Sequence, residues 1–186
     1  LKVLNQANLD RLRREASAAA RLRHPNVVTV YEVGPDYIAM DLIAGKTLQQ
    51  ALPDIPLEER IRIFEIVAKA VAHAHAEGVI HRDLKPSNVI LESPDRPVLT
   101  DFGLATIQGE ENLTQTGAVF GTPHYMAPEQ VRGETRLVGS ATDVWALGVM
   151  LYEMVANRNP FSGETPLAIY ESLTRDEPAP LKGDLG

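Results

Sequence analysis

Across residues 81–88 the chain reads His-Arg-Asp-Leu-Lys-Pro-Ser-Asn, and no other stretch constrains it so strongly. It follows a long helix signal that stops at Gly78 and precedes two short strand signals, so it reads as a loop between regular elements. An acid (Asp83), a cation (Lys85) and an amide (Asn88) share this loop. If extended, the two-residue step from Asp83 to Lys85 aims both side chains at one centre, and Asn88, three further on, can reach a divalent ion beside it. These groups suit phosphoryl transfer, where the protein aligns the reactants and disperses negative charge. The competing reading of each aspartate is a turn or cap carboxylate, the commonest use of aspartate in loops.

The flanking sequence supplies the regular elements. Leu9, Leu12, Ala16, Ala19, Ala20 and Leu22 place an apolar stripe on a helix between Asn8 and Arg23, which Pro25 ends. Residues 27–33 and 37–42 read as two antiparallel strands around Gly34-Pro35-Asp36. From Leu57 to Glu77, Ile61, Phe64, Ala68, Val71 and His75 recur at helical steps and predict the buried face of a long helix. Strand signals at 89–91 and 98–100 follow, then a glycine- and threonine-rich stretch to Met126. An apolar helix is expected from about Asp143 to Ala156, and an amphipathic one over 165–175. With 186 residues, 44% of them hydrophobic and 23% charged, the chain can bury a sizeable core. A net charge of −7 argues against a bulk nucleic-acid or anionic-membrane surface. The absence of cysteine excludes disulfides and thiolate metal sites. No apolar run approaches a membrane span and no signal peptide opens the chain, so a cytoplasmic setting is expected. The first residue is Leu1, and the sequence is expected to be a piece of a longer protein, one that could be membrane-anchored.

Two further motifs accompany the loop. Asp101-Phe102-Gly103 follows a strand signal, and Ala127-Pro128-Glu129 is preceded by Gly121-Thr122-Pro123-His124-Tyr125-Met126. Together the three resemble the signatures of serine/threonine protein kinases, over essentially the whole chain, and the wording around Gly163-Glu164-Thr165-Pro166-Leu167 and Asp176-Glu177-Pro178 resembles bacterial members. The resemblance implies an α+β, two-lobe fold. Residues 1–44 would be a partial small β lobe, and residues 45–186 a mostly helical large lobe, truncated. It implies ATP and Mg2+ as cofactors and serine or threonine of protein substrates as acceptor, with no nucleic-acid partner and no membrane contact from this segment.

Residue by residue, the resemblance gives Asp83 the proton of the incoming hydroxyl, Lys85 the transferred phosphate, and Asn88 with Asp101 the metal. The backbones of Asp41 and Ile43 would face adenine, with Met40 at the back of that pocket; read from composition alone, Met40 is an adaptable core residue. Lys2 would reach the α and β phosphates, pinned by Glu15, which could instead make a surface ion pair with Arg11. His81 would pack under Phe102. Asp143 would grip the backbone around His81 and Arg82, besides satisfying amides at the start of its own helix. Thr122 would line the floor beneath the target residue, which together with Lys85 implies Ser/Thr rather than Tyr acceptors, and Glu129 would pair with an arginine beyond the chain. Arg82 beside the catalytic acid suggests activation by phosphorylation of Thr114 or Thr116, between self-associating copies of the protein. Those threonines could also be an ordinary polar surface loop.

Two competing functions belong to other classes. A pseudokinase would keep the fold as a binding or scaffold module but needs a lost catalytic group, and Lys2, Glu15, Asp83, Lys85, Asn88 and Asp101 are all present. A small-molecule or lipid kinase would leave the stretch 121–129 without a use. As printed, the chain lacks a glycine-rich phosphate-covering strand pair, so the isolated piece is expected to be a poor, aggregation-prone catalyst.

Overall fold

The computed structural model describes residues 18–34, 37–102 and 123–181. Lys2, Glu15, Gly103, Thr114, Thr116 and Thr122 lie outside them. The expected helix over residues 8–23 is seen only at its end, where Ala18 and Ala19 are helical.

Two antiparallel strands, β1 (Val30–Val33) and β2 (Ile38–Met40), pair Val30 with Met40 and Val33 with Ile38. The Asp41 amide extends this ladder by donating to the Thr29 carbonyl at 2.9 Å. The second sheet has three strands in the order β3 (Lys46–Thr47), β4 (Val89–Ser93) and β5 (Arg96–Leu99). β3 was not legible in the sequence. Its two residues are too few to show a period, and Gly45 in front of them reads as a break, yet a β-carbon on Gly45 would sit 2.1 Å from the Leu91 carbonyl oxygen. Glycine lets the strand approach β4. The sheets are tied through the segment before β1. The Val28 amide donates to the Leu99 carbonyl, the Leu99 amide to the Asn26 carbonyl, and the Asn26 side-chain amide to the Pro97 carbonyl, all at 2.8–2.9 Å.

The helices follow from their caps. Thr47 and Gln50 form a reciprocal capping box at the start of α1 (Leu48–Ala51). α2 (Leu57–Ala76) ends in a Schellman motif: the Gly78 amide donates to the His75 carbonyl and the Val79 amide to the Ala74 carbonyl, with Gly78 at φ +74°. After the four-residue α3 (Pro128–Val131) come α4 (Ser140–Ala156), closed by a left-handed Asn157, and α5 (Pro166–Arg175), capped by Thr165.

The buried face of α2 is rotated by one residue from the sequence expectation. Arg60, Ile63, Val67, Ala70, Val71 and Ala74 are buried, whereas Ile61 is 41% exposed and Phe64, Ala68 and His75 are half-buried. The cause is Arg60. Its guanidinium donates to the carbonyls of Ile55 and Met154 and to the Asn157 side chain, so a charged residue occupies the core register that an apolar count skips. That face packs on Ala146, Met150 and Met154 of α4, with Val89 and Leu99 of the second sheet, in one core. On its far side α4 meets a smaller core of Val149, Phe161, Ile169 and Leu173. Each such side chain contributes roughly 1.5–3 kcal/mol of burial. α4 is thus apolar nearly all round because it separates two cores, and its buried Asp143 is left facing the 81–88 loop.

Candidate active site

The loop after α2 is fixed from behind by buried groups. The Asp143 carboxylate, 1% exposed, accepts the His81 amide on Oδ2 and the Arg82 amide on Oδ1, both at 2.8 Å, and its Oδ2 also lies 2.7 Å from His75 Nε2. This corrects the cap reading of Asp143: α4 begins at Ser140, and the carboxylate is bound to the loop's amides. His73 and His75, two apart on α2, face different ways. His73 lies against His24 with ring centroids 5.1 Å apart, while His75 meets Asp143.

His81 is fully buried, 4.5 Å from the Phe102 ring centroid. Its Nδ1 accepts the Asp83 amide at 3.3 Å, so Nε2 carries the proton and donates to the Thr100 carbonyl at 2.9 Å. Burial depresses its pKa more strongly than the carboxylates of Asp143, Asp83 and Asp101 raise it, which keeps the ring neutral. Arg82 and Asp101 both adopt left-handed backbone, at φ +68° and +62°. Such positions cost non-glycine residues on the order of 1–3 kcal/mol and persist where surrounding bonds over-determine them.

At the front, Asp83 is the point of convergence. Lys85 Nζ lies 2.7 Å from Asp83 Oδ2, and Asn88 Nδ2 donates to that oxygen at 3.1 Å and to the Asp83 carbonyl at 2.8 Å. Asn88 thereby uses its NH2 group on Asp83, which leaves the side-chain oxygen Oδ1, distinct from its main-chain carbonyl, as a metal or water acceptor. The Thr100 amide donates to the Asn88 carbonyl at 2.9 Å, and the Thr100 hydroxyl lies 3.3 Å from that carbonyl and 3.5 Å from Asp101 Oδ2. Thr100 thus links the loop to the start of the second motif. Asp101 and Phe102 in turn line a small apolar pocket with Val28, Val30, Ile38 and Met40. Asp41 turns its side chain toward the Tyr31 hydroxyl, whose hydrogen bond lowers the carboxyl pKa.

The donors available for a metal are the hard oxygens of Asn88 and Asp101, with Asp83 alongside. Among the described residues no three of His, Asp and Glu gather into a metal-holding group. Two protein oxygens completed by phosphate oxygens and water are a donor set that suits a hard divalent cation.

Sequence reasoning missed Thr100 and Gln130 entirely and gave His75 only a place on a stripe. Gln130 donates through Nε2 to the Arg82 carbonyl at 2.8 Å, while its Oε1 accepts the Ala127 amide at 3.0 Å. Glu129, expected to pair with an arginine beyond residue 186, accepts the Thr142 hydroxyl at 2.6 Å. A threonine after a strand and amides in a polar stretch carry no pattern of their own.

Comparison with known proteins is consistent with this geometry. Residues 2–182 match the protein kinase domain. The serine/threonine-protein kinase PrkC of Bacillus subtilis is 39% identical over 166 residues, which are 86% of this chain and 25% of that protein. The probable serine/threonine-protein kinase PknB of Lactococcus lactis is 42% identical over 166 residues, 86% of this chain and 26% of its own length. The serine/threonine-protein kinase PknA of Mycobacterium tuberculosis is 34% identical over 189 residues, covering 95% of this chain and 43% of that protein. The chain spans about a quarter of the length of the first two relatives.

Proposed function

The chain belongs to the protein kinase domain family, and from that premise we propose that it carries the catalytic core of an enzyme transferring the γ phosphate of ATP to serine or threonine of proteins. The α+β architecture described above is a partial form of that family's two-lobe fold. We take residues 1–44 as the small-lobe part and 45–186 as the large-lobe part, with the nucleotide between them.

The observation that carries the reading is the convergence of Lys85 and Asn88 on the Asp83 carboxylate. Asp83 accepts the proton of the incoming hydroxyl and orients its oxygen for in-line attack. Lys85, 2.7 Å from Asp83, carries its positive charge to the transferred phosphate. Asn88 and Asp101 would hold magnesium, which supplies charge neutralisation at the phosphate oxygens. Met40 closes the back of the adenine pocket, and the Asp41 carbonyl and Ile43 amide face the base. The Asp41 amide, already bonded to Thr29, fixes that backbone rather than binding the nucleotide. Lys2, Glu15 and Thr122 keep their family roles in this proposal, as do activation at Thr114 or Thr116 by another copy and recognition of the phosphothreonine by Arg82. No described helix is long and apolar enough to cross a membrane. ATP supply places this domain on the cytoplasmic side.

Phosphate transfer from labelled ATP to a serine- or threonine-containing protein substrate by the full-length protein is the direct test. Asp83→Asn is expected to lower turnover by about 10²–10⁴-fold, the usual contribution of a general base, with nucleotide affinity retained. Undiminished turnover in that variant would remove the assignment.

A further inference from the structure

We propose that Gln130 is a positioning residue for the transfer step, clasping the peptide before Asp83 to the 123–131 segment. The inference rests on the kinase reading above and adds a residue that none of the three motifs contains. The Arg82 peptide leads into Asp83 in left-handed backbone, a conformation an arginine does not hold unaided. Its amide is held by Asp143 and its carbonyl by Gln130, so both of its hydrogen-bonding groups are tied to other elements. The Asp143 tie comes from α4. The Gln130 tie comes from α3, whose first two residues end the 121–129 stretch expected to support the substrate.

The bonds close into a ring. Glu129 accepts from Thr142, Thr142 adjoins Asp143, Asp143 holds the Arg82 amide, and the Arg82 carbonyl is held by Gln130, next to Glu129. A ring of three elements joined by side-chain bonds resists rotation of any one of them. Gln130 is suited to its place because the acceptor and the donor are at opposite ends of one amide: Oε1 takes the Ala127 amide and Nε2 gives to Arg82. No acid or apolar residue can do both at neutral pH. Loss of the Nε2 bond removes one of the two ties on the Arg82 peptide, and Asp83, attached to it, moves away from in-line geometry. Errors of about 1 Å at a reacting centre cost on the order of 100-fold.

The test uses the full-length protein with Gln130→Glu and Gln130→Met. Gln130→Glu keeps the Ala127 acceptor but sets an anionic oxygen against the Arg82 carbonyl, and Gln130→Met removes both bonds at similar volume. Both are expected to lower kcat about tenfold or more at pH 7.5, with KM for ATP within about twofold. The Gln130→Glu deficit should narrow toward pH 5.5, where the introduced acid begins to carry a proton it can donate. Amide exchange at residues 82–84 should accelerate in both variants irrespective of turnover. Unchanged kcat together with unchanged exchange would overturn the proposal, as would a kcat loss in Gln130→Glu that does not narrow as the pH falls. A wild-type protein without phosphate transfer would sink the kinase reading instead. Faster exchange at 82–84 would then still report the clasp, and unchanged exchange would refute it.

Discussion

The rear and the front of the 81–88 loop are one backbone with two different kinds of environment. Behind it, His81 and Asp143 are 0% and 1% exposed, and their polar atoms meet partners of the chain itself. In front, the side chains of Lys85 and Asp83 are 31% and 35% exposed, and the buried Asn88 spends its NH2 group on Asp83. Buried hydrogen bonds are costly to break because the orphaned group cannot turn to water, whereas half-exposed ones exchange with solvent at small net cost. The rear therefore sets the loop's shape through stability, and the front keeps its groups available for chemistry. Substitutions should separate accordingly: those behind the loop lower stability, and those in front lower turnover.

The largest stability loss is expected for Asp143→Ala, which orphans the buried His81 amide, the half-buried Arg82 amide and the His75 ring nitrogen in one step. At roughly 1–3 kcal/mol for each unsatisfied buried donor, the loss is about 3 kcal/mol or more. Denaturant unfolding measures it, and a midpoint unchanged from the wild type would mean the rear is not what holds the loop.

A smaller effect at the rear follows from His81. Its folded pKa lies below the ordinary value of 6.5, chiefly through burial. The unfolded chain then binds the proton more readily, so stability is present in full above 6.5 and is lost as pH falls from there through the folded pKa. His24, through burial and then His73, and His124, through burial, are shifted in the same direction and add to the slope. The expected result is a lower unfolding midpoint at pH 5.5 than at pH 7.5, with NMR showing the His81 ring titrating below 6.5 and its neutral form protonated on Nε2. A ring that titrates at or above 6.5 would contradict the hydrogen-bond assignment.

The same division explains which parts could be read from sequence. The front is three residues whose chemistry is visible in their types, so Asp83, Lys85 and Asn88 could be named without coordinates. The long helices and the β1 and β2 pairing were legible because period and punctuation agree, as at Gly78, where a Schellman motif ends α2. The rear depends on contacts between distant residues, such as Gln130 with Arg82 and Arg60 with Met154. A glutamine in a polar stretch reads as surface, and an arginine breaks an apolar count, so tertiary context overrode local pattern at both positions.

The smallest stability effect is expected where the functional effect is large. Lys85→Ala removes the 2.7 Å pair with Asp83, but both partners are about one-third exposed, and such pairs contribute about 0–1 kcal/mol. Nothing buried is orphaned: Asp83 Oδ2 keeps the Asn88 donor at 3.1 Å and gains water in place of the ammonium. The unfolding midpoint should correspond to a change within about 0.5 kcal/mol, typical of a surface substitution, while phosphate transfer falls steeply for want of the cation at the transferred group. A Lys85→Ala protein destabilised as much as Asp143→Ala would mean that front and rear are a single structural unit. The division between a buried scaffold and an exposed chemical face would then fail.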